Sequence, residues 1–204
     1  MFTGIIKNTG ILKEKSGFTM VFESGLAGIE TGESIAVNGV CLTVERKERS
    51  KFYVRVSPQT LKNTTLASIK KGELVNLESS IKPAESFGGH LVTGHVDGTG
   101  KIKYLKKEKD FIIMAVAISK ELMSGIVEKG SVAIDGISLT VSGINMDCIT
   151  VTVIPYTFHN TNVSKKREGA AVNIELDIIG KYVRKYLSGR KIEITEEFLK
   201  NKGF

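Results

Sequence analysis

A few side chains in this sequence could move a proton or meet a polar heterocycle, and they recur in pairs. Cys41 and Thr43 stand two residues apart in Asn38-Gly39-Val40-Cys41-Leu42-Thr43-Val44. Ser138 and Thr140 hold the same places in Asp135-Gly136-Ile137-Ser138-Leu139-Thr140-Val141. On a strand, alternation sends both members of a pair to one face and Leu42 or Leu139 to the other. A short polar pair of this kind could hydrogen-bond a flat heterocycle. Threonine is also a good strand former and small residues pack well, so on these residues alone packing is the stronger explanation. Pro58-Gln59-Thr60 and Pro155-Tyr156-Thr157 are likewise open to a reading as turn chemistry. His95 is the candidate acid or base, because an unperturbed pKa of roughly 6.5 suits proton transfer at neutral pH. A histidine in a strand is more often structural. No metal site is expected: His90 and His95, five apart, fall on opposite faces of a strand, and no Cys or carboxylate has ligand spacing to them.

These residues sit in a chain that repeats itself. The stretch Ser34 to Val44 is matched by Ser131 to Val141, 97 residues later. Pro58, Thr60, Asn63-Thr64, Gly72 and Val75-Asn76-Leu77-Glu78 recur at the same offset. Thr3-Gly4-Ile5-Ile6 pairs with Thr93-Gly94-His95-Val96 at an offset of 90, so His95 answers to Ile5 and breaks the symmetry. A period of this length is a whole small domain, not a solenoid unit. Each Asn-Gly or Asp-Gly between apolar runs predicts a tight hairpin.

In order, the pattern predicts strands over 1–12 and 17–23, a helical turn near 24–29, the hairpin 34–44, a strand over 51–57, a helix within 60–69 and a strand over 73–78. A polar Gly- and Pro-containing link, 82–89, follows. The second half predicts strands near 91–104 and 110–118, a short helix over 120–126 capped by Ser119, the hairpin 131–141, a strand at 148–154, a turn at Pro155 and a strand at 171–177. Short strands so spaced indicate an antiparallel barrel or sandwich in each half. Ile179, Val183 and Leu187, with Tyr182 and Tyr186, mark an amphipathic helix that neither repeat needs. Its stripe could pack on another subunit or cover its own barrel.

Composition narrows the class. The chain has 204 residues, 41% hydrophobic and 25% charged, which is ordinary for a globular protein. No apolar run is long enough for a bilayer, and no signal peptide is apparent, so no membrane association is expected. Two cysteines at this spacing point to a reducing, cytoplasmic setting. The net charge is +7, but the lysines and arginines are scattered and Trp is absent, so a solvated surface is expected and no nucleic-acid partner.

Together, Met1-Phe2-Thr3-Gly4-Ile5, Asn38 to Val44, Gly88-Gly89-His90-Leu91-Val92-Thr93-Gly94-His95-Val96, Asp135 to Val141 and Ile179-Gly180-Lys181-Tyr182-Val183 resemble riboflavin synthase of the α-chain type over the whole chain. The resemblance implies an all-β fold of two tandem six-stranded antiparallel Greek-key barrels plus a C-terminal α-helix. It divides the chain into lumazine-binding barrels at 1–87 and 88–177 and a trimerisation helix at 178–204. The implied reaction is a dismutation of two 6,7-dimethyl-8-ribityllumazine molecules by transfer of a four-carbon unit, giving riboflavin and 5-amino-6-(ribitylamino)uracil without metal or redox cofactor. Implied partners are two more copies of the chain and, as in some relatives, the lumazine synthase capsid.

Carried over by motif, the first pocket uses Cys41, Leu42, Thr43, the run Arg55, Val56, Ser57, Pro58, Gln59, Thr60, and Gly94, His95, Val96. The second uses Ser138, Leu139, Thr140, Lys129, the run Thr152, Val153, Ile154, Pro155, Tyr156, Thr157, and Gly4, Ile5, Ile6. The resemblance casts His95 and Thr140 in proton transfer, Ser138 and Cys41 in assisting addition, and Phe2 in shielding the interface. Gln59 stands where many relatives carry an acid, and Lys62 where many carry Arg, which leaves fine ligand contacts open. A non-catalytic lumazine- or flavin-binding fluorescent protein is the alternative; it would be expected to lose one pocket. A flavin-dependent reductase would need a nicotinamide-binding domain, and no Gly-rich fingerprint is present.

Overall fold

A computed structural model describes residues 1–83 and 85–188. The first half forms β1 (Asn8–Ser16), β2 (Thr19–Ser24), β3 (Ser34–Val37), β4 (Val40–Glu48), β5 (Lys51–Arg55) and β6 (Leu74–Ser79), closed in the order β1-β2-β5-β4-β3-β6. The second half forms β7 (Gly98–Glu108), β8 (Phe111–Ala117), β9 (Ser131–Ile134), β10 (Ile137–Ile144), β11 (Cys148–Val153) and β12 (Ala171–Leu176), and closes in the equivalent order. All pairings are antiparallel, and the fold is two six-stranded Greek-key barrels. Closure leaves no open sheet edge to template aggregation. The long strands bend at bulges in matching places, Leu12/Glu14 with Ile102/Tyr104 and Val44/Arg46 with Val141/Gly143.

The hairpin signal holds in both copies. Asn38 and Gly39 have φ of 46° and 77°, Asp135 and Gly136 of 46° and 79°, as a two-residue turn of this hand requires. Other segments differ from expectation. Residues 1–7 and 91–97 are not strands: only Phe2 and Val92 form an isolated bridge. Gly4 at φ +75° and Gly94 at φ +81° turn the chain out of the extended path. The helix sought within 60–69 starts earlier, as α1 (Pro58–Asn63), with Pro58 in the first turn and Ser57 Oγ accepting from Thr60 N at 3.1 Å. A 3₁₀ turn, Thr65–Ala67, follows. The turn at Pro155 is α3 (Pro155–Asn160), the same element in the second half. Only a turn at 27–28 stands where a helical turn near 24–29 was expected, and the helix α2 (Lys120–Met123) is shorter than predicted.

Each barrel is filled by its own side chains. Phe22 and Phe52 stack at 5.5 Å in the first, and Ile102, Met114, Ile149 and Ile174 are buried in the second. The N-terminal segment crosses over: Ile6 belongs to the core of the second barrel, and Val96 packs on the core of the first. Phe2, fully buried, lies between the barrels with Val92, Ala36 and Ala133.

The barrels meet tip to tip at their hairpins. A Cβ on Gly39 would lie 2.9 Å from Gly136 Cα, and the reverse also holds. Around this contact, Asn76 Nδ2 donates to Asp135 O (2.9 Å) and Asn173 Nδ2 to Asn38 O (2.8 Å). Asn76 Oδ1 accepts from Asn162 N (2.7 Å), and Asn173 Oδ1 from Thr65 N (2.8 Å). Asp135 also pairs with Lys166 Nζ at 3.0 Å, out of solvent.

The helix α4 (Ile178–Ser188) follows β12. Its polar side is tied to the second barrel through Lys181 to Asp97 (2.6 Å) and Arg184 to Ser124 Oγ (2.8 Å). Ile179, Tyr182, Val183 and Leu187 point outward, more than half exposed, so the stripe does not cover its own barrel. The rest of the segment assigned to this helix, 189–204, lies outside the described residues.

The glycine contact yields a test. Gly169 also has positive φ (+81°), but a Cβ there meets open space. Gly169→Ala is expected to cost about 1 kcal/mol, from backbone conformation alone. Gly39→Ala is expected to cost roughly 3 kcal/mol or more, because it must also push the barrels apart. Urea unfolding of both variants measures the difference.

Candidate active site

The two short polar pairs stand on matching strands. Cys41 and Ser138 are half-buried, Thr43 and Thr140 are exposed, and Leu42 and Leu139 point into the cores, as alternation requires. Each pair is completed by a segment from the other half. Cys41 N donates to Gly94 O (2.9 Å), and Ser138 N to Gly4 O (2.8 Å). A Cβ on Gly94 would come 2.5 Å from Cys41 Cβ, and one on Gly4 2.7 Å from Ser138 Cβ, so only glycine fits at either place.

A buried carboxylate fixes each crossing segment. Glu78 on β6 accepts from Thr3 N (2.7 Å), Thr3 Oγ1 (2.8 Å) and Gly4 N (3.0 Å). Glu175 on β12 accepts the equivalent three bonds from Thr93 and Gly94. Burial pushes the Glu78 carboxyl above its usual range, against the downward pull of the Thr3 and Gly4 bonds.

The first half-site is a cavity of about 160 Å³ that brings together Cys41, Gln59, Thr60, Gly94, His95 and Val96, all expected, with Val40, Asn63 and Thr64, which were not. Asn63 and Thr64 close the end of α1, and a motif match that stopped at Thr60 missed them. Arg55 is exposed and ion-paired with Glu45 at 3.4 Å. Ser57 and Pro58 serve α1 as its cap and first turn. Val56 is buried in the first core, so its side chain faces away from any ligand.

At the second half-site's expected positions, Ile5, Ile154 and Tyr156 are exposed apolar groups, Thr140 is exposed and Thr157 is half-buried. Thr152 is exposed, Pro155 starts α3, and Val153 and Ile6 are buried in the second core. Lys129 stands in the turn before β9, its N–H donating to Val141 O at 2.8 Å.

One residue considered only as a metal ligand belongs here. His90 Nδ1 is 2.7 Å from Ser138 Oγ, and its Nε2 is buried without a partner. Burial holds the His90 imidazole below its ordinary pKa, opposed by the nearby Asp177 and Glu175 carboxylates. Gly89 lets it approach, since any Cβ there would collide with the Thr3 carbonyl oxygen. The signal was present in Gly88-Gly89-His90, where the link runs into the second half. His95 instead opens onto the Cys41 cavity, so the two histidines serve different half-sites. Phe2, expected to shield the interface, is fully buried with Ala36, Val92 and Ala133, beside Cys41.

A family profile described as the lumazine binding domain matches residues 3–80 and again 93–177. The riboflavin synthase of Bacillus subtilis (strain 168) is 40% identical over 215 residues, covering 100% of both chains. The chain belongs to the riboflavin synthase family. The riboflavin synthase of Chlamydia pneumoniae is 42% identical over 185 residues, covering 87% of this chain and 90% of that one. Among solved structures, LumP complexed with riboflavin superposes with a TM-score of 0.79 at 27% identity, and LumP complexed with 6,7-dimethyl-8-(1'-D-ribityl) lumazine with 0.76 at 26%. Both superpositions cover 86% of this chain and 99% of LumP. Each lumazine binding domain of this riboflavin synthase family member therefore coincides with one barrel.

The His90 environment fixes a pH signature. A base whose folded pKa lies below its unfolded value near 6.5 binds fewer protons folded than unfolded in that window. Stability is then full above pH 6.5 and falls as the pH drops toward the folded value. In an NMR titration the His90 ring resonance is expected to move below pH 6.5, and His90→Gln is expected to flatten the acid-side loss of stability.

Proposed function

We propose that this chain is a riboflavin synthase acting on two molecules of 6,7-dimethyl-8-ribityllumazine. A four-carbon unit passes from one to the other, leaving riboflavin and 5-amino-6-(ribitylamino)uracil. The products together hold every atom of the two substrates, so no external oxidant or reductant enters the balance. The observation that carries the reading is full-length likeness to riboflavin synthases with both half-sites built: Cys41 with His95 in one, Ser138 with His90 in the other. A carrier that only binds would be expected to have lost one of them.

The reaction begins with loss of a proton from the acidic methyl group of one lumazine, and the charge spreads into the ring. Hydrogen-bond donors must meet that charge where it develops. Thr140 and His95 are assigned to proton transfer, and Ser138 and Cys41 to addition at the ring. His90, held neutral by burial, accepts from or donates to Ser138 Oγ and so sets which way that hydroxyl points. Gly4, Ile5, Thr43 and the runs Arg55–Thr60 and Thr152–Thr157 frame the substrates, with Leu42, Val56, Leu139 and Val153 anchoring these strands in the cores.

None of the cavities described is lined by both Cys41 and Ser138, so the reading requires two chains to bring unlike half-sites face to face. Such a head-to-tail contact closes into a ring, a trimer here, with the outward stripe of α4 as the seam. Holding the two substrates in register removes much of the entropic barrier of a bimolecular step. In this reading the lumazine-binding units are 1–87 and 88–177, and 178–204 serves assembly. Among the described residues no helix is long and apolar enough to cross a membrane; a cytoplasmic setting and docking to the lumazine synthase capsid complete the proposal.

Mixing the protein with the lumazine alone, and following absorbance, is expected to give one riboflavin for every two lumazines consumed. Bright, bound lumazine without riboflavin would instead make the chain a carrier. Ser138→Ala and His90→Gln are each expected to lower kcat about 100-fold while lumazine still binds the Cys41 half-site. Ile179→Asp with Leu187→Asp is expected to yield monomers by sedimentation, with activity lost at dilution.

A further inference from the structure

We propose that the cavity at the barrel seam is an anion site that takes a compact phosphate or diphosphate group, free or at the end of a small ester. It is separate from both half-sites, and the reaction does not use it.

The cavity holds about 320 Å³ and is built from matching positions of the two repeats. At the offset of 97, Thr65 answers to Asn162, Ser68 to Lys165 and Glu73 to Ala170, and all six line it. One wall is therefore a copy of the other, and the copies differ in charge. Where the first half has Ser68-Ile69-Lys70, the second has Lys165-Lys166-Arg167. Where the first has the acid Glu73, the second has Ala170. The departures gather three consecutive cations on one wall.

Most of the charge nearby is already committed. Lys166 Nζ is out of solvent, 3.0 Å from Asp135 and 3.0 Å from the Ala171 carbonyl oxygen. Its counterpart Ile69 is buried in the first core, so Lys166 serves the contact between the barrels. Glu73 accepts from Lys70 N at 3.1 Å. Lys15 Nζ donates to the Leu66 and Ala67 carbonyls, in the turn that begins at Thr65. Lys165 and Arg167 are left over. Both are exposed, both line the cavity, and neither is ion-paired among the described residues.

An ammonium and a guanidinium two residues apart in a concave site suit a phosphate. The guanidinium offers a planar fork to two oxygens, and the ammonium adds a point charge. Walls of low dielectric strengthen that attraction over what a convex surface provides. The volume lies at the low end for small-molecule sites, which admits a diphosphate or a small phosphate ester and excludes a dinucleotide. Thr64 lines the Cys41 cavity and Thr65 the seam cavity, so the two sites stand back to back across one step of backbone.

The test is a calorimetric titration of the full chain with inorganic diphosphate in phosphate-free buffer, with and without saturating riboflavin. One site per chain is expected in both arms, with a Kd of about 100 µM or below at about 50 mM salt and roughly tenfold weaker binding at about 500 mM. Lys165→Ser and Arg167→Gln are each expected to raise the Kd about tenfold, and Glu73→Gln to lower it about threefold. Lys107→Ser, which removes a cation of β7 outside the lining, is expected to leave it within about twofold. All four side chains are exposed, so the fold is not at stake. Glycerol 3-phosphate titrated alongside separates the two sources: the tighter probe tells a free diphosphate from the head of an ester. No saturable binding at millimolar diphosphate overturns the proposal. So does an equal effect of Lys107→Ser and Lys165→Ser, which would reduce it to net charge. Loss of the site on saturation with riboflavin would place the anion in a half-site and overturn it too. Failure of riboflavin to bind overturns only the half-site reading, because the diphosphate arm without riboflavin still stands.

Discussion

Two hairpin tips pressed together through bare glycine backbone are what the rest of this structure depends on. Gly39 and Gly136 approach so closely that neither can carry a side chain. The peptide groups around them are buried and must find partners. Asn76 and Asn173 reach across to do so, Asn162 joins Asn38 to Asp135, and Lys166 neutralises the one carboxylate. An unsatisfied buried polar group costs about 1–3 kcal/mol, so this knot tolerates one relative placement of the barrels. A purely apolar contact would slide.

The half-sites follow from that placement. Once the hairpins are locked, the segments around Gly4 and Gly94 lie across the seam, each tied by a carboxylate of its own half and pairing with a strand of the other. Neither half-site is the property of one repeat. The crossing also explains why Phe2 is so buried: it is the wedge under both hairpins, in contact with the residues that precede Cys41 and Ser138.

Duplication supplies two similar platforms, and small departures make them unlike. A thiol stands at Cys41 where the other copy has the hydroxyl of Ser138. Imidazole stands at His95 where the other copy has Ile5, and Gln59 answers to Tyr156. His90 lies just before Thr93, where the link between the halves runs into the second barrel. One half-site is thus a polar cavity around Cys41, and the other has a buried imidazole against its serine. Two identical substrates can be given different roles on such platforms.

The duplication, most of the strands, the hairpins and the helical periodicity of α4 were legible in the sequence, and the family resemblance added the two barrels. They depend on local rules: alternation, turn chemistry and helical spacing act between near neighbours. The offset of 97 even marked which residues share a structural role, and the family motifs named most of the first half-site. Other features were not legible. Residues 1–7 read as a strand because alternation cannot see that Gly4 must turn to let Glu78 take its N–H. His90 read as a surplus histidine because Ser138 lies 48 residues away and only the seam brings them to 2.7 Å. The sequence by itself determined a duplicated strand-rich domain and its paired chemistry-bearing strands. Tertiary structure alone decided which segment completes which strand, because that choice rests on buried hydrogen bonds between residues that no local pattern connects.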